Sequence, residues 1–158
     1  YLPNGNPVDS PKFPYKLGWM QRMKARAVEL LETEEISLMC GDYNIIPQAE
    51  DVHRPDDWWG DALYRPESLA IWREILNLGY TEAFRALDSA PLNYTFWDFQ
   101  AGAWNKNDGI RIDHFLLSPQ AADRLQSCVI DRHMRGRDKP SDHVPIWVEL
   151  DVKQALQL

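Results

Sequence analysis

Three short polar motifs in this chain each adjoin an apolar run. They contain side chains of the types that catalyse the hydrolysis of phosphate esters. The last motif contains Ser141, Asp142 and His143 and lies just before an apolar, alternating segment that ends at Leu150. Histidine transfers protons near neutral pH, and a neighbouring carboxylate can bind a divalent cation. A polar turn without catalytic function that leads into a strand would have the same pattern. For so short a motif, this structural interpretation is more common than the catalytic one.

The second motif contains Asp42 and Asn44 and follows a short apolar run from Ile36 to Cys40 that ends at Gly41. Residues two apart on an extended strand point to the same side, so we expect both side chains to face one site. The Asp42 carboxylate can orient a water molecule, and the Asn44 amide can donate to a phosphate oxygen.

The third motif places Asp113 between Arg111 and the apolar run from Phe115 to Leu117. A carboxylate within an apolar strand costs free energy unless it has a partner. An ion pair with Arg111 would neutralise the charge and have no catalytic meaning. A hydrogen bond to a catalytic histidine would instead make Asp113 an orienting carboxylate. Both interpretations are compatible with the sequence.

In this order, the motifs GDYN, RIDHFLLS and KPSDHVP resemble the endonuclease/exonuclease/phosphatase superfamily. The opening residues YLPNG are similar to the exodeoxyribonuclease III and abasic-site endonuclease branch. Phosphoinositide phosphatases and sphingomyelinases share the GD-x-N and SDH elements but are not expected to have this opening. The resemblance covers nearly the whole chain. It implies an α/β fold, a four-layer sandwich of two mixed β-sheets flanked by helices.

The resemblance further implies a DNA repair nuclease that uses Mg²⁺ or Mn²⁺ on duplex DNA. Such an enzyme hydrolyses phosphodiesters 5′ to abasic sites and removes nucleotides from 3′ ends. The implied catalytic residues are Tyr1, Asp42, Asn44, Asp113 and His143. The implied metal ligands are Asp142, His143, Asp42 and Asn44. The implied DNA-binding residues are Asn4, Phe96, Trp97, Arg111 and Lys139.

Several alternatives remain at this level. A phosphomonoesterase or phospholipid hydrolase of the same superfamily would share the three motifs, and an inactive interaction module could retain the fold alone. Phe96 and Trp97 could equally belong to the core or to the wall of a pocket for an abasic sugar, because an aromatic slot admits a flipped-out deoxyribose without its base.

The family also carries a half-site built on an Asn and a metal-binding Glu in the first half of its domain, and nothing in these 158 residues matches it. We therefore expect residues 1–158 to be the C-terminal half of a larger domain. Activity should then require the N-terminal half of the same protein, and this chain alone should be inactive.

Composition limits the partners and the compartment. The net charge of −7 argues against a protein that coats nucleic acid indiscriminately, although four bases between positions 132 and 139 could contact a phosphate backbone. Cys40 and Cys128 are the only cysteines, and we expect buried thiols in a reducing, cytoplasmic setting. No apolar run approaches the length of a membrane span, so no membrane partner is expected.

The elements that must position these motifs are helices and strands that alternate along the chain. This alternation predicts an α/β fold. Helices are expected over 15–32 and 67–78, and strands over 36–40, at about 95–99, through Phe115, near 129 and over 144–150, with a turn at 107–109. Ser118 and Pro119 predict a helix start, because serine caps helices and proline fits their first position; this helix should extend through Leu125. Trp19, Trp72 and Trp147 are expected in the core.

Overall fold

The chain folds into six helices and five strands within residues 1–152, which a computed structural model describes. The helices are α1 (Lys12–Glu32), α2 (Pro55–Trp58), α3 (Pro66–Asn77), α4 (Ala83–Leu87), α5 (Ala103–Lys106) and α6 (Pro119–Ala122). The strands are β1 (Leu38–Asp42), β2 (Thr81–Glu82), β3 (Asp113–Leu117), β4 (Leu125–Ile130) and β5 (Ile146–Leu150). Short 3-10 helices span Ala49–Asp51 and Arg132–Gly136. The predicted α/β class is therefore confirmed.

The strands form two sheets. β3 is the central strand of the first, with β1 on one side and β2 on the other, and β4 pairs with β5 in the second. Every pairing between these strands is antiparallel, whereas the sequence led us to expect mixed sheets. The β1–β3 register ends with Asp42 opposite Asp113, so the ends of two strands that are distant in sequence meet at one place.

The largest core cluster lies between α1, α3 and the first sheet. Met20 and Ala27 of α1 and Trp72 and Ile75 of α3 are buried in it together with Leu116 of β3. Each such side chain contributes about 1.5–3 kcal/mol of burial free energy when it is large and fully buried. This packing fixes α1 and the end of β1 relative to one another.

The predicted strand at about 95–99 is wrong. Phe96 forms only isolated β-bridges, to Ile110 and to His143, so the segment is a loop and not a strand. The last strand begins at Ile146 and not at Val144, because the Val144 amide donates to the Thr95 carbonyl and Pro145 has no amide proton.

The turn at 107–109 is present, and Gly109 is required there because an added Cβ would lie 2.6 Å from Trp97 Nε1. Ser118 caps α6 as predicted, with its hydroxyl accepting from the Ala121 amide, but α6 ends at Ala122 and Leu125 already belongs to β4.

The burial predictions for Cys40 and Trp147 are wrong. Cys40 is exposed, whereas Cys128 is partly buried and packs against the cluster of Ala83, Leu117 and Ala121. Trp147 is 46% exposed and lies opposite Val129 on β4. β1 is an edge strand of the first sheet, and the exposed pair Val129 and Trp147 lies on the side of the second sheet opposite to Cys128. Trp72 is buried as predicted, and Trp19 packs at the edge of the same core. Among the described residues, no helix is long and apolar enough to cross a membrane.

Candidate active site

The site is built around a carboxylate–imidazole pair. His143 Nδ1 lies 2.8 Å from Asp113 Oδ2, which leaves Nε2 as the ring nitrogen able to face a substrate. The hydrogen bond to Asp113 raises the pKa of His143, burial opposes the increase, and the charges of Asp113, Asp42 and Asp142 support it. Of the two partners considered for Asp113, the structure therefore selects the histidine.

Thr95 holds the two segments of this pair together. Its hydroxyl accepts from the amides of Ile112 and Asp113 at 3.1 and 3.2 Å, and its carbonyl accepts from the Val144 amide at 2.9 Å. The Phe96 ring also packs edge-on against the His143 ring, with centroids 5.1 Å apart. Thr95 was not among the residues predicted from the sequence. Its only signal there is a polar residue within an apolar stretch.

Arg111 takes no part in the pair and points into the protein. It is fully buried, donates to both carboxylate oxygens of Asp51 at 2.7 and 3.2 Å, and donates to Glu82 at 2.9 Å. A buried cation that is paired in this way cannot reach a phosphate in solvent, so the predicted direct DNA contact by Arg111 is wrong for this conformation.

His114 has a structural role next to Arg111. Its Nδ1 lies 3.0 Å from the Arg111 guanidinium and its Nε2 lies 3.0 Å from the Ile45 carbonyl. Because a guanidinium can only donate, Nδ1 accepts from Arg111 and Nε2 donates to the Ile45 carbonyl. The ring thereby supports the loop that follows Asn44.

Asp42 and Asn44 are joined by two hydrogen bonds. Asp42 Oδ1 accepts from the backbone amide of Asn44 at 2.8 Å. The side-chain Nδ2 of Asn44 donates to Asp42 Oδ2 at 3.1 Å and to the Leu2 carbonyl at 2.8 Å. Burial raises the pKa of Asp42, and the charge of Asp113 adds to the effect, while the Asn44 amide and His143 oppose it. Asp42 is thus more basic than an ordinary aspartate.

The predicted reason for the meeting of these two side chains is wrong. Asn44 lies beyond the end of β1 and has φ +47°, so the two residues are not neighbours on an extended strand. They meet because the chain turns back after Tyr43. Asn44 Oδ1 also accepts from Asn4 Nδ2 at 3.3 Å, which connects the predicted DNA-binding residue Asn4 to the same cluster.

An open cavity of about 370 Å³ adjoins this cluster. Its polar lining consists of Asn4, Asn6, Asn44, Asp61, Asp98 and His143. Its apolar side is formed by Trp58, Leu63, Phe96, Ile110 and Ile112. Of the two aromatic residues left open between core and pocket, Phe96 reaches the cavity. Trp97 is fully buried with Tyr94 and Val144, so its predicted contact with DNA is wrong in this conformation.

The remaining predicted residues lie at the surface around the site. Tyr1 is 95% exposed, and the amide of the next residue, Leu2, donates to the Asp42 carbonyl at 2.8 Å. Lys139 is exposed in the loop that leads to Asp142. The roles assigned to Tyr1, Asn4, Lys139 and Asp142 stay predictions.

The predicted metal ligands form only a partial set. Within residues 1–152, no group of three or more His, Cys, Asp or Glu side chains is arranged to hold a metal ion. Asp42 is engaged with Asn44, and the Asp113 carboxylate with His143. Mg²⁺ requires near-octahedral oxygen coordination, which these residues do not supply by themselves.

Together the two antiparallel sheets, the strand-end carboxylates and the oriented imidazole define an α/β protein with a hydrolase-like site. The model of the Endonuclease/Exonuclease/phosphatase family matches residues 1–143. The chain belongs to this family.

Relatives within the branch suggested by the motifs support the same conclusion. The chain is 32% identical to exodeoxyribonuclease III of Haemophilus influenzae, covering 94% of this chain and 59% of that protein. It is 31% identical to the DNA repair nuclease APEX1 of Danio rerio, covering 96% and 47%. The chain therefore spans about half the length of these curated relatives.

Solved structures give the same result. An AP endonuclease from Archaeoglobus fulgidus superposes with a TM-score of 0.91 at 33% identity, covering 96% of this chain and 60% of that one. The 3′ phosphatase NExo from Neisseria, bound to a product DNA hairpin, superposes with a TM-score of 0.92 at 30% identity, covering 96% and 59%.

Proposed function

We propose that the protein containing this chain is a metal-assisted DNA repair nuclease that cleaves phosphodiesters 5′ to abasic sites and removes nucleotides from 3′ ends of duplex DNA. The observation that carries the proposal is the Asp113–His143 pair, which lies next to Asp42 and Asn44 and opens onto a cavity with one polar and one apolar side. These parts suit phosphate ester hydrolysis and have no evident use in a scaffold.

The residues divide the chemistry between them. Asp42, with its raised pKa, orients the attacking water and accepts its proton. His143, held by Asp113, stabilises the negative phosphate in the transition state or transfers a proton. Asn44 is proposed to hold a phosphate oxygen. Because Asn44 Nδ2 already donates to Leu2 and Asp42, it must exchange one of these bonds when the phosphate enters.

The cavity supports a preference for abasic DNA. A deoxyribose without its base can leave the duplex at a lower cost than a stacked nucleotide and can occupy a small apolar slot. Phe96, Ile110 and Ile112 offer that slot within reach of His143. Exposed Lys139 and Arg137 lie just before Asp142 in the chain and are proposed to contact the phosphate backbone.

A divalent cation, Mg²⁺ or Mn²⁺, is proposed as cofactor. It would supply charge neutralisation at the phosphate. Asp142 and the Asp42–Asn44 pair are the residues of this chain proposed to approach it. Since they make only a partial set, further oxygen ligands are proposed to come from another part of the protein.

We also propose that the two sheets belong to a four-layer α/β sandwich of which residues 1–158 form the C-terminal half. The share of the relatives that the chain spans, 59% and 47%, supports this proposal. So do the apolar side chains of Leu38, Val129 and Trp147 on open sheet faces. A cytoplasmic location, suggested by two cysteines without a disulfide, is part of the same proposal.

A phosphomonoesterase acting on DNA 3′ ends is the second candidate, because the similar Neisseria protein NExo is a 3′ phosphatase. The same polar groups would serve a terminal phosphate. In that case the apolar slot would contribute little to substrate choice.

The test uses the full-length protein with Mg²⁺ and three substrates: a duplex with one tetrahydrofuran abasic analogue, a duplex with a 3′ phosphate, and an inositol phosphate. We expect nicking 5′ to the analogue, abolished by EDTA. Release of phosphate from the 3′ end without nicking would favour the second candidate. Hydrolysis of the inositol phosphate alone would contradict both.

A further inference from the structure

Lys16 is a cation buried directly behind the candidate site. It lies on the core face of α1, one helical turn after Phe13 and one before Met20, and it is fully buried. Its Nζ donates to three backbone carbonyls: Asn44 at 2.6 Å, Ala62 at 2.9 Å and Asn4 at 3.1 Å. Three N–H donors thus meet three acceptors, a match that only an ammonium provides.

The three carbonyls belong to three separate chain segments that line the cavity. Asn4 comes from the opening loop, Asn44 from the turn after β1, and Ala62 precedes Leu63 of the apolar wall. Other bonds join the first and third segments, because Asn6 donates to Asp61 and accepts from the Ala62 amide. Within residues 1–152, Lys16 is the one side chain bonded to all three carbonyls.

The opening loop is packed tightly onto the Lys16 side chain. Gly5 has φ +91°, and a Cβ there would lie 2.7 Å from Lys16 Cδ. The distance from the ammonium to the Asn4 carbonyl therefore cannot change without moving the loop. The Asn4 side chain also bonds to Asn44, so a shift of either backbone would disturb both amides.

Burial of the Lys16 ammonium carries a desolvation penalty, which its three hydrogen bonds to carbonyls offset. An apolar side chain would fill the same space without that penalty, although it would leave the carbonyls unpaired. The three hydrogen bonds of the Lys16 ammonium therefore fix the relative positions of these three segments.

We propose that Lys16 is a positioning residue, whose ammonium sets the separation of the Asn4 and Asn44 backbones and thereby aims both side chains at the phosphate. This inference rests on the proposed function for its meaning in catalysis. The geometric part concerns only the relative position of two asparagines, and it can be measured without any substrate.

The experiment compares Lys16→Met with Tyr80→Phe in the full-length protein. Tyr80→Phe is the matched control, since it also removes a buried donor to a backbone carbonyl of α1, that of Ala27 at 3.0 Å, away from the site. We expect Lys16→Met to lower kcat for the abasic duplex by about 10²-fold, because an ångström of misplacement has effects of that size, with the Kd for DNA changed by about threefold or less. Tyr80→Phe should leave kcat unchanged.

A second readout separates this inference from the proposed function. In NMR spectra, the side-chain amide signals of Asn4 and Asn44 should move in Lys16→Met and stay in place in Tyr80→Phe. If the wild-type protein hydrolyses no substrate, the proposed function fails and these signals still decide the role of Lys16. If Lys16→Met does not fold, Lys16→Gln, which has fewer donors, is judged by the same criteria. Unchanged kcat and unchanged amide signals in the folded variant would overturn the inference, as would equal losses in Tyr80→Phe.

Discussion

Asp42 and Asp113 lie directly opposite each other at the end of the β1–β3 pair. Side chains of opposite residues in an antiparallel pair lie on one face of the sheet, so two carboxylates share a small volume. Their partners differ: Asp113 accepts from His143, whereas Asp42 accepts from the amide of Asn44. Burial and the neighbouring charge of Asp113 raise the pKa of Asp42. The arrangement separates an orienting carboxylate from one suited to receive a proton.

Replacement of His143 tests its part in the chemical step. In the full-length protein, His143→Ala should slow cleavage of abasic DNA by about 10²–10⁴-fold, the usual range for a positioned acid–base group. DNA affinity should change little. His133→Ala is the matched control, because His133 is exposed in the 3-10 helix and bonds to no site residue within residues 1–152. Near-normal turnover of His143→Ala would remove His143 from the mechanism.

Replacement of Asp113 tests the cause of the His143 pKa. Asp113→Asn keeps the shape and removes the charge, so the His143 pKa should fall towards its ordinary value of about 6.5 in an NMR titration. The folded-state pKa is raised in the wild type. The stability from this pair is therefore fully present below about pH 6.5 and is lost as the pH rises through the folded pKa.

The same variant should consequently be destabilised more near pH 6 than near pH 9, relative to the wild type, in denaturant unfolding at about these two values. Equal destabilisation at both values, with an unaltered His143 titration, would show that the hydrogen bond does not control the ring.

Two replacements of Asn44 separate its amide from its backbone. Asn44 has φ +47°, a conformation that glycine adopts freely and alanine does not. Both Asn44→Gly and Asn44→Ala should slow cleavage by about 10²-fold or more, as losses of a single phosphate donor do. The alanine variant should be less stable than the glycine variant by about 1 kcal/mol in urea unfolding. If glycine restored the rate that alanine loses, the backbone and not the amide would be the functional element.

Residues 1–158 expressed alone test the proposed partial metal site. We expect weak Mg²⁺ binding by calorimetry and no nicking of abasic DNA, because the local carboxylates are few and already engaged. Self-association in size-exclusion chromatography is expected through the open faces that carry Leu38 and Trp147. Addition of the chain that makes up the rest of the relatives' length should restore nicking. EDTA-sensitive nicking by residues 1–158 alone would show that the proposed assignment of metal ligands to another part of the protein is wrong.

The sequence was sufficient to predict the main helices, the capping of α6 by Ser118, and the positions of Asp42 and Asp113 at strand ends. These features depend on local periodicity and on side chains a few residues apart. The convergence of Asp42, Asp113 and His143 followed from the resemblance and not from the periodicity.

What the sequence could not predict depends on partners distant along the chain. Arg111 is buried because it pairs with Asp51 and Glu82, and Cys40 is exposed on β1, which is an edge strand within residues 1–152. Thr95 bonds to residues in two other segments. Lys16 does have a signal in the sequence, since it is a lone cation on the apolar stripe of α1 between Phe13 and Met20.

The most direct test of the central claim is a double-mutant cycle on Asp113 and His143 in the full-length protein, measured as single-turnover cleavage of a duplex with one tetrahydrofuran site. We predict that both single variants are slow and that the double variant Asp113→Asn with His143→Ala is no slower than His143→Ala alone. The reason is that Asp113 acts only through the imidazole of His143, which the His143→Ala substitution removes. Multiplicative losses in the double variant would contradict this mechanism, since the two residues would then act independently.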